Sequence, residues 1–192
     1  LRLSDTTIEN SHSQGNGGAL LIAGALATIS RSKYESCSAQ GEGGAIAVTE
    51  MTRLLYTTGF PADVSISVVI FINNSAASGG AVSVNSNSSL LLNGSEFEDC
   101  IAAGDTSSEK GGGGALSVKR QAKATVTACS FSNNTARVQG GAVEVTSSAN
   151  VSLSTSVLRG NQALGRGGGA LCVRDAHVSL EQNNLRQNLA KA

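Results

Sequence analysis

The chain has 192 residues, with fourteen Lys and Arg against fourteen Asp and Glu and a formal net charge of zero. That balance supplies neither the basic face of a nucleic-acid binder nor a polybasic membrane patch. Charged residues are 15% and aromatic residues 3%, yet hydrophobic residues reach 40%. This mixture excludes a disordered chain and points to a core of small and branched aliphatics in thin layers. No apolar run approaches the roughly 20 residues of a membrane-spanning helix, so this segment carries no direct membrane span.

Leu1 to Thr7 show no charged start or apolar core of a signal peptide. With no initiating Met, residues 1–192 read as a single segment of a larger protein. From Ile8 onward one unit recurs. A large apolar residue is followed three positions later by a small polar one, as Ile8/Ser11, Tyr34/Cys37, Phe71/Asn74, Phe97/Cys100, Phe131/Asn134, Leu158/Asn161 and Leu185/Asn188. Two residues further on stands Ala39, Ala76, Ala102, Ala136, Ala163 or Ala190, with Ser13 the departure. Next comes Gly-Gly-Ala with an aliphatic residue, six times, from Gly17, Gly43, Gly79, Gly113, Gly140 and Gly168. An aliphatic residue, Ile29, Ile66, Leu92, Val126, Leu153 or Leu180, sits five positions before the next large apolar one. Recurrence at this period marks a stack of supersecondary units.

The large apolar positions are spaced 26, 37, 26, 34, 27 and 27 residues apart. A coil of 26–27 residues is therefore lengthened twice, by insertions at about 50–63 and 104–110. After each Gly-Gly-Ala the aliphatic pairs Leu20/Ile22, Ile46/Val48, Val82/Val84, Leu116/Val118, Val143/Val145 and Leu171/Val173 alternate with period two, which signals strands. Between them lie Leu21, Ala47, Ser83, Ser117, Glu144 and Cys172. Their variety places this middle position in solvent and the flanking pair inside.

These features predict an all-β fold: a right-handed, single-stranded parallel β-helix of six to seven coils with three short strands per coil. Each strand then bonds to its equivalent one coil away, about 4.8 Å along the axis. The right hand follows the rule for parallel crossovers. The Asn positions form a column at one bend, able to pass amide hydrogen bonds along the axis. The double Gly suits positive φ or a close approach of coils.

Gly-Gly-Ala-(Ile/Leu/Val) combined with Phe-x-x-Asn, seen here as Phe-Ile-Asn-Asn from Phe71 and Phe-Ser-Asn-Asn from Phe131, resembles the repeat of the chlamydial polymorphic outer-membrane proteins. Similar repeats occur in large surface proteins of algae and other protists. The resemblance covers almost the whole chain. It implies a surface-exposed passenger that acts in adhesion.

Enzymes on a β-helix need carboxylates clustered on one face. In the coil register the acids form no such column, and the densest group, Glu96, Glu98 and Asp99, flanks inward Phe97 as a solvated edge. His12 and His177 are isolated. The Gly-rich stretches from Gly111 and Gly165 lack the Lys-Ser/Thr ending of a phosphate loop. Cys37, Cys100, Cys129 and Cys172 show no zinc or redox spacing. Cys37 and Cys100 share the Asn column two coils apart, beyond the roughly 7 Å reach of a disulfide. They read as small hydrophobes, with Cys172 the exposed one. No catalytic residue, metal ligand or cofactor site is expected.

What breaks the pattern carries the functional reading. The first insertion holds Met51, Leu54, Leu55, Tyr56 and Phe60 with the single Pro61. Its apolar residues either cover one flank of the stack or form a partner-binding loop, since rigid scaffolds commonly bind through loops. Asn-x-Ser/Thr sequons stand at Asn73, Asn87, Asn93, Asn133 and Asn150. Asn87 and Asn150, in the turn after the Gly-Gly-Ala strand, are the best glycosylation acceptors in a secreted eukaryotic setting. The leading expectation is a non-enzymatic structural or adhesive module, extracellular or at the cell surface. Its partner is a protein or glycan, and its open ends and edges allow end-to-end or lateral association. The alternative is a β-helix carbohydrate-active enzyme or polysaccharide-binding domain.

Overall fold

The structure, a computed structural model, describes residues 1–51, 59–104, 111–165 and 167–191. These form four parallel sheets of seven, seven, seven and six strands, wound as a parallel β-helix of seven coils. One coil shows the plan. Lys123–Thr127 lies in the first sheet, Ser130–Ser132 in the second, Thr135–Ala136 in the third and Val143–Thr146 in the fourth. Each pairs with its equivalents in the coils before and after, as in Phe97↔Phe131↔Leu158 and Leu116↔Val143↔Leu171. The repeat register read from Gly-Gly-Ala is the register of the sheets.

The three expected strands per coil are present, and a fourth accompanies them. It is only two residues long, at the Ala column (Ser38–Ala39, Ser75–Ala76, Ile101–Ala102 and their equivalents). Two residues cannot show alternation, so the pattern gave it no signature.

The inward columns make one continuous core. Tyr34, Phe71, Phe97 and Phe131 are fully buried and stack ring on ring, with centroids 5.3, 4.7 and 4.7 Å apart. Leu158 continues the column. Beside it run Ile29, Ile66, Leu92, Val126 and Leu153, and the aliphatic pairs of the fourth sheet. Burying each such side chain stabilises the fold by about 1.5–3 kcal/mol.

Two of the corners are made by single residues in the left-handed region, and the corner from the fourth sheet to the next coil by pairs such as Arg120 and Gln121. Between the first and second sheets these are Asp5, Arg31, Val68, Gly94, Ala128, Thr155 and Gln182; between the second and third they are Asn10, Ser36, Asn73, Asp99, Asn133, Gly160 and Gln187. Left-handed backbone turns the chain sharply without an extra loop. At the bend before the fourth sheet the two glycines of the motif divide the work, as in the fourth coil. Gly113 has φ +65, whereas a Cβ on Gly114 would stand 2.1 Å from the Gly141 carbonyl oxygen of the next coil. Both reasons for a double Gly, turning and close approach, therefore operate side by side.

The first insertion leaves after Ile46–Thr49 and rejoins at Asp63–Ser67. The second lies between Ile101–Ala102 and Leu116–Val118, at a different corner.

Candidate functional site

Two bends carry side-chain ladders. In the Asn column each amide bridges to the coil before it. Asn134 Oδ1 accepts from the Cys100 N–H at 3.0 Å, and its Nδ2 donates to the Phe97 carbonyl at 3.1 Å. Asn74, Asn161 and Asn188 repeat the donation to Tyr34, Phe131 and Leu158. Cys37 and Cys100 occupy this column, where their thiols contact the Ile8 and Phe71 carbonyls at 3.6 and 3.7 Å. A second ladder runs through Ser32, Ser95, Cys129, Ser156 and Asn183. There Ser95 Oγ accepts from the Val69 N–H, Ser156 Oγ from Cys129 and Asn183 Oδ1 from Ser156. Burial pushes the Cys100 thiol up to about 12 and raises those of Cys37, Cys129 and Cys172. Thiolate is the reactive form, so the buried three are inert near neutral pH.

The outward face of the fourth sheet departs from expectation. Ala47, Ser83, Ser117 and Glu144, read as solvent-facing, are all buried. The segment just before each Gly-Gly doubles back over this face and bonds to its own equivalents, with Glu42 bridging Ser78 and Gly112 bridging Gln139. From Ala47 to Glu144 sheet four is thus covered on both sides, apolar within and polar without, whereas Leu21 in the first coil faces solvent as expected.

That outer layer holds the densest polar network among the described residues. Glu42 accepts from Ser83 and Asn85. Further along, Lys119 Nζ lies 3.1 Å from Glu144 Oε2 and 2.9 Å from Ser78 Oγ. Ser117 Oγ donates to the same Oε2 at 3.0 Å, and Gln139 Nε2 donates to Oε1 at 2.7 Å. Gly112 is small for a local reason, because a Cβ there would stand 2.2 Å from Glu144 Oε1. An ion pair this dry needs further hydrogen bonds on both partners, and Ser78, Ser117 and Gln139 supply them.

Residues 128–146 match the model of the Chlamydia polymorphic membrane protein repeat. The matched stretch holds Phe131, Asn134 and the Gly-Gly-Ala-Val from Gly140, the same residues that fill the aromatic stack, the Asn ladder and the bend. No curated protein matches the chain. A solved structure of QnrB1, a plasmid-mediated fluoroquinolone resistance protein, aligns over 91% of this chain and 91% of its own at 18% identity. Its TM-score of 0.21 is too low to bear on fold or function.

The remaining sequence candidates are scattered. Met51 and Phe60 are exposed and close the base of the first insertion through paired backbone bonds of 2.9 and 3.0 Å. They pack over Gly24, whose added Cβ would lie 2.7 Å from Met51 Cβ. Leu54, Leu55 and Tyr56 lie outside the described residues, as does most of the second insertion. All five sequon asparagines are exposed. Asn73 and Asn133 sit at left-handed corners between the second and third sheets, two coils apart, Asn93 and Asn150 on the first sheet, and Asn87 in the turn after the fourth. The Asn87 amide also donates to Glu50 at 3.2 Å. His12 contacts Ser38 and His177 lies six coils away on another sheet. Glu96, Glu98 and Asp99 are exposed around buried Phe97. An open groove of about 840 Å³ crosses the first sheet, lined by Leu26, Thr28, Ser65, Leu91, Lys123 and Thr125, with Asp63 the acid on it.

Sequence reasoning missed the Lys119–Glu144 layer. The positions immediately before Gly-Gly read Asn16, Glu42, Ser78, Gly112, Gln139 and Gly167. They share no residue type, and only their constant place before the motif marked them.

Proposed function

We propose that this chain is a non-enzymatic, extracellular surface module that acts as a scaffold in adhesion. One observation carries the reading: the other units of the chain stack in register with the unit that matches the Chlamydia polymorphic membrane protein repeat. A solenoid of this kind offers repeated outer faces and rigidly held loops. Binding falls to the first insertion, anchored by the Met51–Phe60 clasp, and to lateral or end-to-end contacts with neighbours. Exposed Asn87 and Asn150 accept glycans if the chain passes through a glycosylating compartment.

The enzymatic alternative finds less support. A glycosidase needs two carboxyl groups flanking the scissile bond, about 5–9.5 Å apart, and the groove on the first sheet presents Asp63 as its acid. Polysaccharide binding along that groove remains the second reading, favoured by its hydroxyl and Lys123 lining.

Antibody against the chain should label intact, unpermeabilised cells of the source organism. Labelling only after permeabilisation contradicts a surface location. Beads coated with the chain should adhere to cell monolayers, and deleting residues 52–58 should remove adhesion while the β-sheet circular dichroism stays unchanged. Adhesion unaltered by the deletion transfers binding from the loop to the sheet faces. Release of reducing ends from polyuronates would revive the enzyme.

A further inference from the structure

The Lys119–Glu144 layer is sealed. Lys119, Gln139 and Glu144 are 7%, 8% and 1% exposed, so no substrate reaches them and their chemistry is confined to one another. Within that enclosure a primary amine and a primary carboxamide are held on the two oxygens of one carboxylate: Lys119 Nζ at 3.1 Å from Oε2, Gln139 Nε2 at 2.7 Å from Oε1. Ser78 Oγ, itself fixed by the Gly111 N–H at 3.1 Å, steadies the amine at 2.9 Å. The missing side chain of Gly112 leaves the carboxylate its place. Nothing in a simple repeat needs this arrangement, since the equivalent positions elsewhere are Ala47 and Ser83.

We propose that Lys119 and Gln139 become joined by an isopeptide bond, with Glu144 as the catalytic proton-transfer group. Glu144 takes a proton from the Lys119 ammonium, and the freed Nζ lone pair attacks Gln139 Cδ. In the tetrahedral intermediate Glu144 returns a proton to Nε2 and takes one from Nζ. The Cδ–Nε2 bond breaks and ammonia leaves. The products are a Lys119–Gln139 secondary amide, ammonia and a protonated Glu144, with atoms and charge balanced and no oxidant or reductant required. Two forces favour the reaction. Confinement replaces an intermolecular encounter. The step also converts a buried ion pair, which is costly to desolvate, into neutral groups.

The bond would staple the fourth coil to the fifth, because Lys119 follows Leu116–Val118 and Gln139 precedes Val143–Thr146. It does not depend on where the protein resides.

Intact-mass spectrometry of the purified full chain decides the matter. The expected mass is about 17 Da below that of the sequence, the loss of one ammonia, and a fragment spectrum should tie the Lys119 peptide to the Gln139 peptide. Lys119→Arg and Glu144→Ala should each restore the full mass. A full mass for the natural chain, with both peptides recovered separately, overturns the proposal and leaves an ion pair. A loss of the same size that persists in Lys119→Arg also overturns it, since Asn93–Gly94 succinimide formation gives that mass too. The natural chain's own spectrum is decisive even where a variant fails to fold.

Discussion

Asn134 serves three partners at once: the Cys100 N–H, the Phe97 carbonyl and the Asn161 amide. Truncation to alanine would strand the first two inside the core, where an unsatisfied buried group costs about 1–3 kcal/mol. Asn134→Ala should therefore destabilise by roughly 2–4 kcal/mol in urea unfolding. Asn134→Cys should cost less, because Cys37 and Cys100 already fill this column with the thiol toward the preceding carbonyl. Equal losses would show that the ladder bonds contribute little beyond packing. The Asn column was legible in sequence because one residue type recurs at one place. The parallel ladder through Ser32, Ser95, Cys129, Ser156 and Asn183 was not, because its residue type changes from coil to coil and serine also occurs at many solvent-facing positions.

The strand after Gly-Gly-Ala is where sequence and structure part. Its inward pairs were correctly read, since aliphatic residues at i and i+2 leave one physical solution. Its middle residue was misplaced, because a polar side chain signals solvent unless something covers it. The cover here is backbone, the segment ending in Gly-Gly, and backbone imposes no residue type on itself. Glycine is also what permits successive coils to close up at the bend that follows. Gly114 meets the Gly141 carbonyl oxygen and the Thr135 N–H at distances no Cβ tolerates, 2.1 and 2.7 Å. Gly114→Ala should push two coils apart and lower the urea midpoint by the equivalent of several kcal/mol, the range of severe overpacking. Gly94→Ala, at an exposed corner where the added Cβ would lie 3.9 Å from Val68 Cγ2, should cost only about 1–2 kcal/mol for its left-handed backbone. A loss at Gly114 no greater than at Gly94 would remove close approach as the reason for the second glycine.

Across the whole molecule, stability is shared between neighbouring coils, so the ends differ from the middle. Leu180 and Leu185 are 50% and 44% exposed, whereas their equivalents one coil earlier, Leu153 and Leu158, are 2% and 0%. Coils packed on both sides should be the last to exchange. This architecture was legible from spacing alone, because stacking forces like residues onto like. The same spacing placed the two insertions as breaks in it, but each occurs once, so no neighbouring copy says what it does. The central claim is the shared parallel register, on which the ladders, the sealed layer and the surface reading all rest. Nuclear Overhauser contacts between methyl and aromatic protons test it most directly. The account expects strong contacts for Phe97 with Phe131, Leu92 with Val126 and Val126 with Leu153, all residues one coil apart. Contacts instead joining strands adjacent in sequence, Leu116 with Val126 in an antiparallel hairpin pattern, would contradict it.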